Sequence, residues 1–198
     1  NKPTDSVHDA INKRLQVNLE AIVEMAHQQG VRVIIMPTPP HIGYPPFYSA
    51  NDPALAESGI FSYSNAMKTS QAQYGMKEWQ ALSALLSKSL AIENKHAKGW
   101  HMYGEALDAL GERDLSKKAL EMALALDLSK KRSALSFTQV AKTVCQNQKC
   151  RSIDAYDALS NRWAAEGLGL YKQLWGDHEH LTPAGCDFMA ERFVQAMK

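Results

Sequence analysis

The sequence predicts an α/β protein in two separated segments, with a helical insertion between them. Three observations lead there. Val31-Arg32-Val33-Ile34-Ile35-Met36 is an almost continuous apolar run, the pattern of a parallel strand covered on both faces. From about Ser62 to Leu128 the apolar residues recur at helical spacing, with a tetratricopeptide-like pattern inside. Arg151-Ser152-Ile153-Asp154 then reads as a second short strand, and a helical pattern follows it.

In chain order, Thr4, Asp5 or Ser6 caps a first helix. Val7, Ile11, Leu15, Leu19, Ile22 and Ala26 make its apolar face, and Gly30 ends it. Pro37, Pro39 and Pro40 stop the strand that follows. A helix on a parallel sheet normally joins two strands through a right-handed crossover. Here no strand precedes it, so either the helix is peripheral or a strand lies upstream of Asn1. His41 to Ser58, with Gly43, Pro45, Pro46 and Asn51-Asp52-Pro53, is a long irregular linker, and Tyr44, Phe47 and Tyr48 either line a cleft or anchor that loop.

Within the helical stretch, Trp100, Tyr103, Gly104 and Leu107 resemble the start of a tetratricopeptide repeat, and Ser116, Leu120, Ala123 and Leu128 fall at its later positions. Residues 97–128 thus read as one repeat of two antiparallel helices. Small residues permit close approach, and Gly111 serves the turn. A weaker copy sits about 34 residues earlier, its second helix running from Lys77 to Ile92 through Trp79, Leu82, Leu85, Leu86 and Leu90. Such a repeat offers a peptide- or protein-binding groove, or serves as a structural insertion. Lys130-Lys131-Arg132 reads as a solvated helix end, and Leu135 to Val144 as a helix with Phe137, Val140, Ala141 and Val144 inward. Asp154 is placed to cap the next helix, and Trp163 and Trp175 read as packing residues.

Asp177 precedes His180 by three residues in a loop ahead of the last helix. Thr182 suits the N-cap of that helix and Pro183 its first position. Cys186, Met189, Ala190, Phe193, Val194 and Met197 form its predicted stripe. An imidazole at neutral pH can take a proton from a hydroxyl nucleophile, and a carboxylate on its other nitrogen fixes the tautomer. The same residues also fit a loop with exposed histidines and a capping acid. A metal site from Asp177, His178 and His180 lacks a second ligand cluster at recognisable spacing.

The run Leu174-Trp175-Gly176-Asp177, with His180-Leu181-Thr182-Pro183 and Gly185 before an amphipathic helix, resembles the last conserved block of the SGNH (GDSL-type) hydrolases. Met36-Pro37-Thr38-Pro39-Pro40-His41 and Pro45-Pro46-Phe47 resemble the strand end and proline-rich loop of such proteins carrying a helical-repeat insertion. The resemblance implies a partial three-layer, parallel-sheet SGNH-like domain built from residues 1–58 and 130–198, with residues 59–129 inserted. It implies ester or acyl hydrolysis by a Ser-His-Asp mechanism on an ester, an acylated small molecule or a glycan. In that mechanism His180 is the general base, Asp177 orients it, and no metal or organic cofactor is needed. The chain holds no Gly-Asp-Ser after a strand and no Gly-x-Asn block. The expectation is therefore that it supplies the Asp–His half and is catalytically incompetent alone. The competing class is a non-catalytic module that binds protein or peptide on the repeat surface.

Composition narrows the classes. In 198 residues, 45% apolar and 22% charged, there is room for one or two domains with adequate cores. A net charge of +1 gives no argument for nucleic acid. No apolar run approaches the ~18 residues of a membrane span. Of three cysteines, Cys145 and Cys150 are near in sequence and either form a disulfide, which would fit a periplasmic or secreted protein, or stay reduced as in a cytosolic one, and Cys186 is left over.

Overall fold

A computed structural model describes residues 3–52, 57–129 and 134–197; side chains 3–8, 58 and 61 are outside that description. The predicted caps Thr4–Ser6, Val7 on the first helix, Pro53 of the linker and the basic run 130–132 therefore fall outside the described side chains.

The α/β expectation is overturned. Among the described residues the chain is mostly helical, and its sheet has two strands of two residues each, Ile34–Ile35 (β1) and Arg151–Ser152 (β2). They pair in parallel, Ile34 with Arg151 and Ile35 with Ser152. The apolar run that suggested a central strand is only partly covered: Val31 and Arg32 are exposed, and Val33 to Met36 are half-buried. Apolarity marks a strand's need for cover, but a central parallel strand also requires neighbours on both edges. Among the described residues β1 has one, and they form no three-layer sheet.

Helix α1, Pro3–Gln28, packs against α6, Leu135–Gln148. Its inward line is Leu15, Leu19, Val23 and Ala26, with Val23 fully buried. The predicted members Ile11 and Ile22 face solvent instead. The wide apolar stripe allowed either reading, and contact with one helix rather than a sheet selected the narrower face. Gly30 ends the helix with φ +70°, where the Val31 N–H donates to the Ala26 carbonyl at 2.9 Å.

Four helices follow: α2 (Glu57–Met76), α3 (Trp79–Ile92), α4 (Ala97–Ala109) and α5 (Arg113–Leu126). Each packs on the next, and α4 and α5 form the tight hairpin expected of 97–128. A Cβ on Gly104 would lie 2.6 Å from Leu120 Cγ, so the close approach depends on glycine there. The Ser116 hydroxyl donates to the Gly104 carbonyl at 2.7 Å, and Gly111 takes φ +84° in the turn.

Two cores result. One joins Tyr63, Met67, Leu82, Leu86, Leu90, Met102 and Ala106 within α2–α4. The other joins Leu120 of α5 to Ile42 and to Leu159, Trp163, Tyr171, Trp175 and Phe188 of the C-terminal part. Leu159 and Trp163 come from α7 (Ala155–Glu166), Tyr171 from α8 (Leu168–Gln173) and Phe188 from α9 (Pro183–Met197), while Trp175 lies in the loop between α8 and α9. Trp163 and Trp175 are packing residues, as expected. Asp154 caps α7, accepting from the Asp157 N–H at 2.8 Å.

Three carboxylates, Glu105 and Asp127 buried and Asp108 half-buried, fasten the α4–α5 hairpin to its surroundings. Asp108 accepts from Trp163 Nε1 at 2.9 Å and from the Leu168 N–H at 3.2 Å. Asp127 accepts from the N–H groups of Phe47 and Tyr48. Glu105 accepts from the Tyr74 hydroxyl and the Lys172 ammonium. Burial alone would raise the Glu105 pKa, but His101, Lys172 and Tyr74 outweigh it and the net shift is downward.

Cys145 and Cys150 form a disulfide that ties the end of α6 to the start of β2, and Lys149 between them adopts φ +57°. No helix of the described residues is long and apolar enough to cross a membrane.

Candidate functional site

The site begins with how α9 starts. Thr182 caps it as predicted: its hydroxyl accepts from the Gly185 N–H at 3.2 Å and donates to the Gln173 carbonyl at 2.9 Å. Gly185 lies so close to the Leu174 carbonyl that a Cβ would fall far inside contact distance. The helix start is thereby pressed onto the chain that enters the loop.

The loop is a small antiparallel closure. Trp175 bridges Leu181, and the Gly176 N–H donates to the His180 carbonyl at 2.8 Å. Inside it, Asp177 Oδ1 accepts from the N–H groups of Glu179 and His180, both at 2.7 Å. Asp177 Oδ2 lies 2.8 Å from His180 Nδ1. An ionised carboxylate can only accept, so the proton of the neutral imidazole sits on Nδ1 and Nε2 is left as a base. Among the described residues Nε2 makes no hydrogen bond, and His180 is 76% exposed.

The electrostatics follow from these contacts. The Glu179 and His180 amides and the His180 ring hold the Asp177 carboxyl far below the usual range. The hydrogen bond and charge of Asp177 raise the His180 pKa in return. A more basic imidazole with a fixed tautomer is suited to accepting a proton from a hydroxyl.

The proline-rich loop borders this one. His41 is buried and stacks on Trp175, with centroids 4.9 Å apart and rings 20° from parallel. Its neighbour Tyr171 donates from its hydroxyl to the Pro40 carbonyl at 2.6 Å. Tyr44 and Phe47 meet His178 edge-on or tilted, at 5.5 and 4.8 Å between centroids. His178 is thus turned to an aromatic cluster, and its Nε2 lies 3.4 Å from Glu179. Among the described residues no group of three His, Cys, Asp or Glu side chains could hold a metal, so the metal reading of Asp177, His178 and His180 finds no support.

Two features were missed in the sequence: the His41–Trp175 stack and the hold of Asp127 on the Phe47–Tyr48 backbone. A single carboxylate just past a helix carries no periodic signal. Its placement directly after the last turn of α5 is the local mark that could have raised it.

The predicted stripe of α9 needs correction. Phe188 and Met189 are buried, with Gly185, whereas Cys186, Ala190, Phe193, Val194 and Met197 are exposed. Only the first turns of the helix pack on the core. Phe188 lies between the Arg162 and Arg192 guanidinium groups, 5.8 and 4.9 Å from its ring.

No family model matches this chain, and no curated protein or solved structure matches it.

Proposed function

We propose that Asp177 and His180 are the acid–base half of a Ser-His-Asp ester or acyl hydrolase site. The observation that carries this reading is the 2.8 Å contact of Asp177 Oδ2 with His180 Nδ1, which leaves an exposed Nε2 as a base. In the reaction Nε2 takes the proton of a serine hydroxyl as its oxygen attacks the acyl carbonyl. Asp177 stabilises the imidazolium, which then protonates the departing alkoxide. Water repeats the sequence on the acyl-enzyme. Tyr44 and Phe47, packed on His178 of the same loop, form the aromatic border of the substrate side. An acylated small molecule or glycan suits such a border. No hydroxyl among the described residues bonds to His180, so no nucleophile is assigned.

The test is hydrolysis of short-chain p-nitrophenyl esters, by this chain and by a longer form extending upstream of Asn1. Turnover that falls about 10²–10⁴-fold on His180→Ala supports the reading. Turnover unchanged by that substitution overturns it.

A second reading, a module binding protein or peptide on the helical repeat, draws on Leu115 and Met122. They lie seven residues apart on α5, and both are exposed. The Cys145–Cys150 disulfide favours a periplasmic or secreted location.

A further inference from the structure

A groove of about 1050 Å³ lies where the end of α1, the two short strands and the last turns of α9 meet. Pockets that hold small molecules run to roughly 1,000 Å³, so this one has room for such a ligand. It is separate from the Asp177–His180 loop. Helix α9 starts just after that loop, and Phe193 and Met197 stand roughly 15–20 Å further along its axis.

The lining divides into two kinds of chemistry. Phe193 and Met197, four residues apart on α9, share one helix face, and both are exposed. Val31 and Ile34 add to this apolar side. Arg32, Lys149 and Arg151 supply charge, and all three are exposed. Ile34 and Arg151 are register partners, so an aliphatic and a cationic side chain stand next to each other on the strands. Lys149 is held beside them by its left-handed backbone inside the disulfide loop. His27 is the remaining titratable group of the lining, and among the described residues no acid lines the groove. The whole chain has a net charge of only +1, so three cations with no lining acid are a local excess.

That pairing of surfaces selects among ligands. A free phosphate or a nucleotide would leave the aliphatic wall uncovered. A neutral lipid would leave the cations unmatched. A flat bilayer surface does not follow a groove down to half-buried Ile34. We infer that the groove binds one free straight-chain carboxylate. Arg32, Lys149 and Arg151 hold its head, the guanidinium forks matching the two carboxylate oxygens. Ile34, Phe193 and Met197 take its tail.

The probes are hexanoate, octanoate and decanoate below their micelle concentrations, with decyltrimethylammonium as the cationic counterpart. Decanoate should bind saturably in calorimetry, and affinity should rise about two- to fourfold per added methylene. The ammonium counterpart should bind at least about tenfold more weakly. Decanoate should shift the amide resonances of Val31, Ile34 and Lys149 rather than those of residues 176–180. Arg32→Glu combined with Arg151→Glu should weaken decanoate binding about tenfold or more with an unchanged far-UV spectrum, since both side chains are exposed. Phe193→Ser should flatten the chain-length dependence without moving a charge. His180→Ala should leave binding unchanged, which keeps this site apart from the hydrolase reading. Equal affinity for both head charges, affinity independent of chain length, or shifts confined to the Asp177–His180 loop would overturn the inference. So would binding to phosphatidylglycerol vesicles without binding to free decanoate, which would mark a membrane contact instead.

Discussion

The Asp127 carboxylate, almost fully buried just past α5, accepts a hydrogen bond at 3.1 Å from the N–H of Phe47, eighty residues earlier in the chain. Its other oxygen accepts from the Tyr48 N–H at 3.1 Å and from the Ser129 N–H at 3.0 Å. The repeat hairpin therefore fixes the loop that presents Tyr44 and Phe47 to His178. Asp127→Ala strands these amides and is expected to cost about 1–3 kcal/mol in urea unfolding. Asp127→Asn, which keeps an acceptor, should cost less. Equal, negligible losses for both would show that the clamp does not hold the loop.

Gly104 faces Leu120 across the hairpin with no room for a side chain. Gly104→Leu is expected to destabilise the protein by roughly 1–3 kcal/mol through overpacking. Thermal or denaturant unfolding that leaves stability unchanged would mean α4 and α5 are not in this contact.

The pH dependence follows from the signs of the two shifts. His180 has a raised folded pKa, so its contribution to stability is complete below its unfolded pKa and fades as pH rises through the raised value. Asp177 has a lowered folded pKa, so its contribution is present above its unfolded pKa and is lost as pH falls through the lowered value. The pair is most stabilising between the unfolded pKa of the carboxyl and that of the imidazole. An NMR titration should show His180 with a higher pKa in the native chain than in Asp177→Asn. Identical titration curves would refute the pairing in solution.

Thiol titration under denaturing, non-reducing conditions should find one free thiol, that of Cys186. Three would refute the bridge. Reduction should lower stability by about 2 kcal/mol for so short a loop, in the chain-entropy account.

Much of the local structure was legible because it is written in neighbouring residues. Thr182 and Pro183 announce the start of α9, Gly30 the end of α1, and Gly104 with Gly111 the hairpin. The Asp177–His180 contact was readable from a three-residue spacing in a loop closed by a capped helix. The fold class was not. Val31–Met36 has the composition of a central strand, but composition is silent on whether partners stand at both edges. Composition likewise did not fix which face of α1 or α9 meets the core. Ile22 and Phe193 are as apolar as Val23 and Phe188, and only the position of the packing partner separates them. Links such as Asp127 to Phe47 were invisible because they join single polar groups across long stretches of chain.

Leu120 touches both halves of the architecture: it fills the space opposite Gly104 and belongs to the same core as Trp163 and Phe188. The repeat hairpin is consequently no detachable cassette. Excising it would open a void beneath the C-terminal helices, and grafting it elsewhere would expose an unsheltered leucine. Heat should therefore melt the hairpin and the Asp177–His180 segment in one cooperative transition.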